Sequence, residues 1–155
     1  MCLANLKRLT NLQIGPRDFT DKGMTSLAGL TNMERLLIGG PSLTDKGLES
    51  LTGMKKLYLL TISGSFDESK MAFKSGGKIT DQGLRFLEGL KQLQNLEINS
   101  DTAFSAAAIR HLEDALPNLY SLRINDGSTP ARNRPMQQKA PAPRQPRTER
   151  PRVNR

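Results

Sequence analysis

The stretch from Leu12 to Leu60 carries one pattern twice. LQIGPRDFTDKGMTSLAGLTNMER starts at Leu12 and LLIGGPSLTDKGLESLTGMKKLYL starts at Leu36, a period of 24 residues over which most apolar positions coincide. A unit this short cannot enclose a core alone. It buries its apolar side only by stacking on the next copy, so self-similarity with a period of about 20–50 residues dictates a solenoid.

Each unit contains a strand pattern, Leu-x-x-Leu-x-Ile. The copies are Leu9-Leu12-Ile14, Met33-Leu36-Ile38, Leu57-Leu60-Ile62, Leu93-Leu96-Ile98 and Leu119-Leu122-Ile124. The last two apolar residues of each copy alternate and so share one strand face. A second motif follows in three units: Thr20-Asp21-Lys22-Gly23-Met24, Thr44-Asp45-Lys46-Gly47-Leu48 and Thr80-Asp81-Gln82-Gly83-Leu84. It reads as a helix start. The threonine hydroxyl caps an orphan N–H, and the aspartate sits in the first turn, where the helix dipole favours negative charge. Apolar residues then recur at every third position: Met24-Leu27-Leu30, Leu48-Leu51-Met54 and Leu84-Leu87-Leu90. Gly29, Gly53 and Gly89 stand where left-handed caps would end these helices.

Leu-x-x-Leu-x-Ile combined with Thr-Asp-x-Gly-Leu resembles the leucine-rich repeat, and is most similar to the subclass of F-box-associated and bacterial leucine-rich-repeat proteins. The resemblance covers residues 1–126. It implies a right-handed α/β solenoid with parallel strands on the concave face and helices on the convex face. Such a module binds proteins without catalysis. The chain departs from the subclass after the strand, where Gly15-Pro16 and Gly39-Gly40-Pro41 replace the usual asparagine or cysteine. No asparagine ladder is therefore expected. No F-box segment precedes the repeats, so a ubiquitin-ligase role would need a larger protein in which these repeats are the recognition part.

The repeats are irregular in three places. Leu3-Leu6-Leu9 corresponds to Leu27-Leu30-Met33, so the chain opens inside a unit that lacks its Thr-Asp-x-Gly. Because a solenoid end needs a polar cap, the expectation is the C-terminal part of a longer array. The third unit carries 12 extra residues in the 64–78 insertion, with Phe66, Met71 and Phe73 either facing a partner or folding back on the repeats. The fourth unit begins with Ser105-Ala106-Ala107-Ala108-Ile109, has the stripe Ile109-Leu112-Leu116, and stops at Pro117.

Charge divides the chain in two. The net charge of +8 comes from 23 bases and 15 acids, but residues 127–155 hold eight of the bases and only one acid, Glu149. That segment is rich in Pro and Arg and nearly free of large apolar residues. It reads as a disordered basic tail of 127–155 beside a near-neutral repeat domain of 1–126. The tail could add weak, salt-sensitive nucleic-acid or polyanion binding, without aromatics to stack on bases; an unstructured solubilising extension is the other reading.

No catalytic constellation, cofactor site or metal site is legible. Cys2 and His111 are the only residues of their kind. His111 sits one position off an apolar stripe and Cys2 has no nearby base. Asp21, Asp45 and Asp81 stand one repeat apart like a cation ladder. Lys22 and Lys46 beside them argue against a divalent ion, which takes about 6–8 oxygen ligands when it is calcium. No apolar run spans a bilayer, which takes about 20 residues, and no secretory leader is legible, so a cytoplasmic setting is expected.

The remaining candidate is the outward strand face. Its predicted partner-binding residues are Arg35, Leu37, Tyr58, Leu59, Thr61, Glu97 and Arg123, with Leu37 and Leu59 an apolar spot beside Arg35, and Glu97 next to Arg123. Ordinary exposed strand surface is the alternative. Leu122 and Ile124, on the last strand, are expected to be open and to permit end-to-end self-association.

Overall fold

The computed structural model describes residues 6–15, 19–64, 77–125 and, for backbone pairing only, 66–67, 72–73 and 132–135. In chain order the elements are β1 (Asn11–Gln13), α1 (Asp21–Thr25), β2 (Arg35–Gly39), α2 (Asp45–Glu49), β3 (Leu59–Ser63), β4 (Phe66–Asp67), β5 (Ala72–Phe73), α3 (Asp81–Leu87), β6 (Asn95–Asn99), α4 (Ala106–Ala115), β7 (Ser121–Asn125) and β8 (Arg132–Pro135). One sheet runs β1-β2-β3-β6-β7-β8, and β4 pairs with β5 separately. The first five strands of the large sheet are parallel, each joined to the next through a helix.

The strand phase follows the alternation in sequence. Leu36, Leu60, Leu96 and Leu122 occupy one register row and Ile38, Ile62, Ile98 and Ile124 another, and all eight are buried. The helix stripes join them in one core, which includes Met24, Leu27, Leu48, Leu51, Leu84 and Leu87. Leu43 and Ile79, just before the caps Thr44 and Thr80, are also buried. Five positions on, Leu48 and Leu84 are buried too, the spacing of a hydrophobic staple that sets the angle of chain entry.

The period of three has a tighter origin than an α-helix. Beyond α1 the chain continues in i→i+3 turns, with Leu27 N donating to Met24 O at 2.9 Å, Leu30 N to Leu27 O at 2.9 Å and Met33 N to Leu30 O at 3.1 Å. Side chains three apart eclipse in such turns, which lines these four residues up over the sheet. The expected left-handed glycine caps are absent. The C-caps Ser26, Ser50 and Glu88 are right-handed, and none of Gly29, Gly53 and Gly89 has a positive φ. A chain that goes on turning in the same sense needs no reversal there.

Capping by the motif threonines holds in two of three units. Thr44 Oγ1 accepts from Lys46 N at 3.3 Å and Thr80 Oγ1 from Gln82 N at 3.2 Å, whereas Thr20 makes no side-chain cap bond. Ser105 caps the fourth helix by accepting from Ala108 N at 3.1 Å.

The aspartates bridge repeats. Asp21 accepts from Thr44 N at 2.8 Å and from Thr44 Oγ1 at 2.6 Å. Asp45 repeats this on Thr80 with the same two distances. Asp81 accepts from Ser105 N at 2.9 Å. Each aspartate thus holds the first turn of the following unit while its charge favours its own helix start. The motif glycine makes room for that bridge. A Cβ on Gly47 would lie 2.6 Å from Asp21 Oδ1, and one on Gly83 would overlap Asp45 Oδ1.

The insertion leaves this frame intact. β3 pairs directly with β6, and the added chain forms the short antiparallel β4–β5 pair. It re-enters at Gly77 and Lys78, where Lys78 N donates to Leu43 O at 2.8 Å. The side chains of Phe66, Met71 and Phe73 lie outside the described residues, as does most of 127–155.

Two expectations about the C-terminal end are corrected. Leu122 and Ile124 are each only 3% exposed, so the last strand does not present an open apolar edge. Its outer side is paired with β8, antiparallel, with Arg134 opposite Leu122 and Arg132 opposite Ile124. Residues 132–135 of the expected disordered tail thus form the sheet's last strand. The opposite end differs: Leu12 and Ile14 are only half-buried, and β1 pairs on one side only among the described residues. Pairing by β8 protects an edge that would otherwise recruit other chains. A chain ending at residue 126 should therefore lose about 1–2 kcal/mol relative to one ending at residue 135, with faster amide exchange confined to Ser121–Asn125. Equal exchange in the two chains would rule out the β7–β8 pairing.

Candidate protein-binding face

The parallel register assembles the outward residues into rows. One row runs Gln13, Leu37, Thr61, Glu97, Arg123, and the next runs Asn11, Arg35, Leu59, Asn95, Ser121. Neighbours within a row lie about 4.8 Å apart. Six of the seven predicted partner-binding residues, Arg35, Leu37, Leu59, Thr61, Glu97 and Arg123, therefore share one surface, while Tyr58 precedes β3 and lies outside these rows. Arg35 and Arg123 are exposed, and Leu37, Tyr58, Leu59, Thr61 and Glu97 are half-buried.

Half-burial suits Leu37 and Leu59 to contact: each is held by the sheet and still offers apolar area. Tyr58 precedes β3 and is held by its backbone. Its N–H donates to Glu34 O at 2.9 Å, and its carbonyl accepts from Gln94 N at 2.9 Å and Asn95 N at 3.0 Å. The same two-donor arrangement places Glu34 on Thr10 and Tyr120 on Gln94. This carbonyl ladder keeps the strand entrances in line.

Between β3, β6 and β7 the face carries a hollow of about 230 Å³. Leu60 and Leu96 contribute from the buried row, with Leu59, Thr61, Asn95, Glu97, Ser121 and Arg123 around them. The hollow places a carboxylate, a guanidinium, neutral hydrogen-bonding groups and one apolar side chain within reach of a single entering side chain. Nothing in this set makes a nucleophile with an adjacent base.

At the far end of the strands the expected absence of an asparagine ladder needs correction. Asn99 is buried, and its Oδ1 accepts from Asn125 Nδ2 at 2.5 Å. Ser63 Oγ donates to Ile38 O at 3.3 Å in the earlier repeats, where glycine precedes. The asparagine pair stands two repeats later than the glycine turns, which is why those turns gave no sign of it.

A second hollow, of about 470 Å³, lies between α3 and α4. At its edge Ser105 spends its hydroxyl on its own helix and meets Asp81 through the backbone N–H. Asp81, Arg85, Glu88 and the exposed His111 line it. Among the described residues no group of three or more His, Cys, Asp or Glu is placed to hold a metal ion, and no helix is long and apolar enough to cross a membrane.

No protein-family model matches the chain, and the search of curated proteins gives no significant match. Among solved structures the chain is similar to an internalin (inlF) from Listeria monocytogenes str. 4b F2365, at 22% identity and a TM-score of 0.43. The alignment covers 79% of this chain and 43% of the internalin chain, so this chain spans less than half the length of that relative. The repeat period, the parallel register and the buried leucine and isoleucine rows make the fold an α/β solenoid of the leucine-rich-repeat type.

Proposed function

We propose that this chain is a non-catalytic protein-interaction module that holds its partner on the strand face through Arg35, Leu37, Tyr58, Leu59, Thr61, Glu97 and Arg123. The observation that carries the reading is the half-burial of Leu37 and Leu59 on adjacent strands beside the hollow. Apolar anchors surrounded by polar groups are the arrangement from which binding hot spots are built. A repeat array supplies such a face ready-made, so little ordering entropy is lost on binding.

The test is affinity capture with the full chain, with residues 1–135, and with a Leu37→Ser/Leu59→Ser variant, each treated with nuclease. The shorter chain ends at 135 because β8 belongs to the sheet. The same protein should be retained by the first two and reduced about tenfold or more on the variant. Retention that survives in the variant, or that nuclease abolishes, overturns the reading. Circular dichroism on the variant checks that it folds.

A further inference from the structure

The chain has two tyrosines and no tryptophan, and the fold sets both tyrosines in one row. Tyr58, Gln94 and Tyr120 are the residues just before β3, β6 and β7. Gln94 N donates to Tyr58 O at 2.9 Å and Tyr120 N to Gln94 O at 2.7 Å, so the three follow one another across the sheet in step with its strands. Tyr120 is 54% exposed, one of two exposed large apolar residues among those described. Gln94 is exposed and Tyr58 half-buried. Tyrosines held at ordered strand entrances offer contact area while losing little conformational entropy on binding.

Spacing indicates what fits the row. Two strand spacings of about 4.8 Å put the tyrosine positions about 9.6 Å apart. A polyproline II helix has three residues per turn and rises about 3.1 Å per residue, so each face recurs about every 9.3 Å. Prolines three apart therefore meet the two tyrosines in turn. Such a helix has no internal hydrogen bonds, which leaves its carbonyls free for the Gln94 side-chain amide between the tyrosines. A β-strand presents each face about every 6.7 Å and falls out of step with the row. The carbonyls of an α-helix are bonded internally and offer Gln94 nothing.

Charge around the row cancels. Glu34 and Arg35 are chain neighbours at one end, and Glu97 lies in register with Arg123 at the other. Lys56 and Lys91, on the turns before the row, are turned to neighbouring repeats: Lys56 Nζ donates to Asn32 Oδ1 at 2.8 Å and Lys91 Nζ to Ala115 O at 2.7 Å. The row thus favours neither a polyanion nor a polycation, and an uncharged proline-rich segment suits it.

We propose that Tyr58, Gln94 and Tyr120 form a docking row for a proline-rich segment of a partner protein in polyproline II form, with prolines three apart packed on the two tyrosines. This rests on the reading of the chain as a protein-binding module, and it adds Gln94 and Tyr120 to the contact residues.

Because the row holds the only tyrosines of a chain without tryptophan, the protein's own tyrosine emission reports on it. Decaproline, which does not fluoresce, is titrated into the full chain, with a Gly-Ser peptide of equal length as control. The emission should change saturably with decaproline alone. Tyr120→Ala, read through Tyr58, should weaken the affinity about tenfold, and circular dichroism checks that this variant folds. The Leu37→Ser/Leu59→Ser variant leaves the row in place and should lose less than Tyr120→Ala does. No saturable change, an equal response to the Gly-Ser peptide, or full affinity in Tyr120→Ala would overturn the proposal. So would a loss in the leucine variant as large as that in Tyr120→Ala, which would put decaproline on the strand face. The protein-binding reading itself stands or falls separately, on whether the leucine variant loses its partner in affinity capture.

Discussion

Leu60→Ala should destabilise the chain by about 2–5 kcal/mol, while Asn95→Ala on the neighbouring strand should cost no more than about 0.5 kcal/mol. Leu60 is fully buried in β3, in register with Leu36 on one side and Leu96 on the other. Truncation removes three carbons from the middle of the stack. The cavity cannot close readily, because the neighbouring strands are held by backbone pairing on both sides. Position in the array adds to the effect. A solenoid is stabilised by contacts between adjacent repeats, so a defect at β3 weakens the coupling of the units on either side. Asn95 has the opposite phase and is only half-buried. Urea denaturation of the two variants reads the difference directly. Equal losses would contradict the alternation of buried and outward residues on which the binding face depends.

The second large effect is a change of sign. Asp45→Ala should cost about 1–3 kcal/mol, because it strands the Thr80 amide and hydroxyl that the carboxylate now accepts from. Gly83→Ala alone should also destabilise, by about 1–3 kcal/mol, since the added Cβ overlaps Asp45 Oδ1 and sits 3.0 Å from Ile79 Cγ2. In the Asp45→Ala background the carboxylate is gone. Alanine is about 1 kcal/mol better than glycine in a helix interior, so there Gly83→Ala should be neutral or stabilising. A double-mutant cycle by equilibrium denaturation measures the coupling. Simple additivity would show that Gly83 serves something other than room for Asp45.

The aspartate and glycine of Thr-Asp-x-Gly illustrate how far the sequence could be read. It showed a helix start, and the threonine and serine caps at Thr44, Thr80 and Ser105 bear that out. It did not show that Asp45 reaches Thr80, which lies 35 residues along the chain. A local reading sees what a side chain can do for its own turn. The neighbour in the stack is decided only when the units are in register. Similarly, the glycines at 29, 53 and 89 looked like left-handed caps because they follow each stripe. The backbone instead passes through i→i+3 turns without reversing hand.

The candidate face was legible for a simple reason. Alternation assigns Leu37, Thr61, Glu97 and Arg123 to the outward side, and the repeat assigns them to one row, as the register bears out. Which of them keep apolar area exposed, and where a hollow opens, depended on packing between strands.

By itself the sequence determined the solenoid, the phase of every repeated strand and most of the core, because a hydrophobic pattern of period two nested in a period of 24 has one way to bury itself, whereas Leu43, Ile79 and Phe104 joined the core only through packing. Only the tertiary structure decided the aspartate bridges, the Asn99–Asn125 pair and the pairing of β8 with β7. Composition marks Arg132–Pro135 as a poor core former. Pairing at a sheet edge needs only backbone N–H and C=O groups, which every sequence carries and no composition reveals.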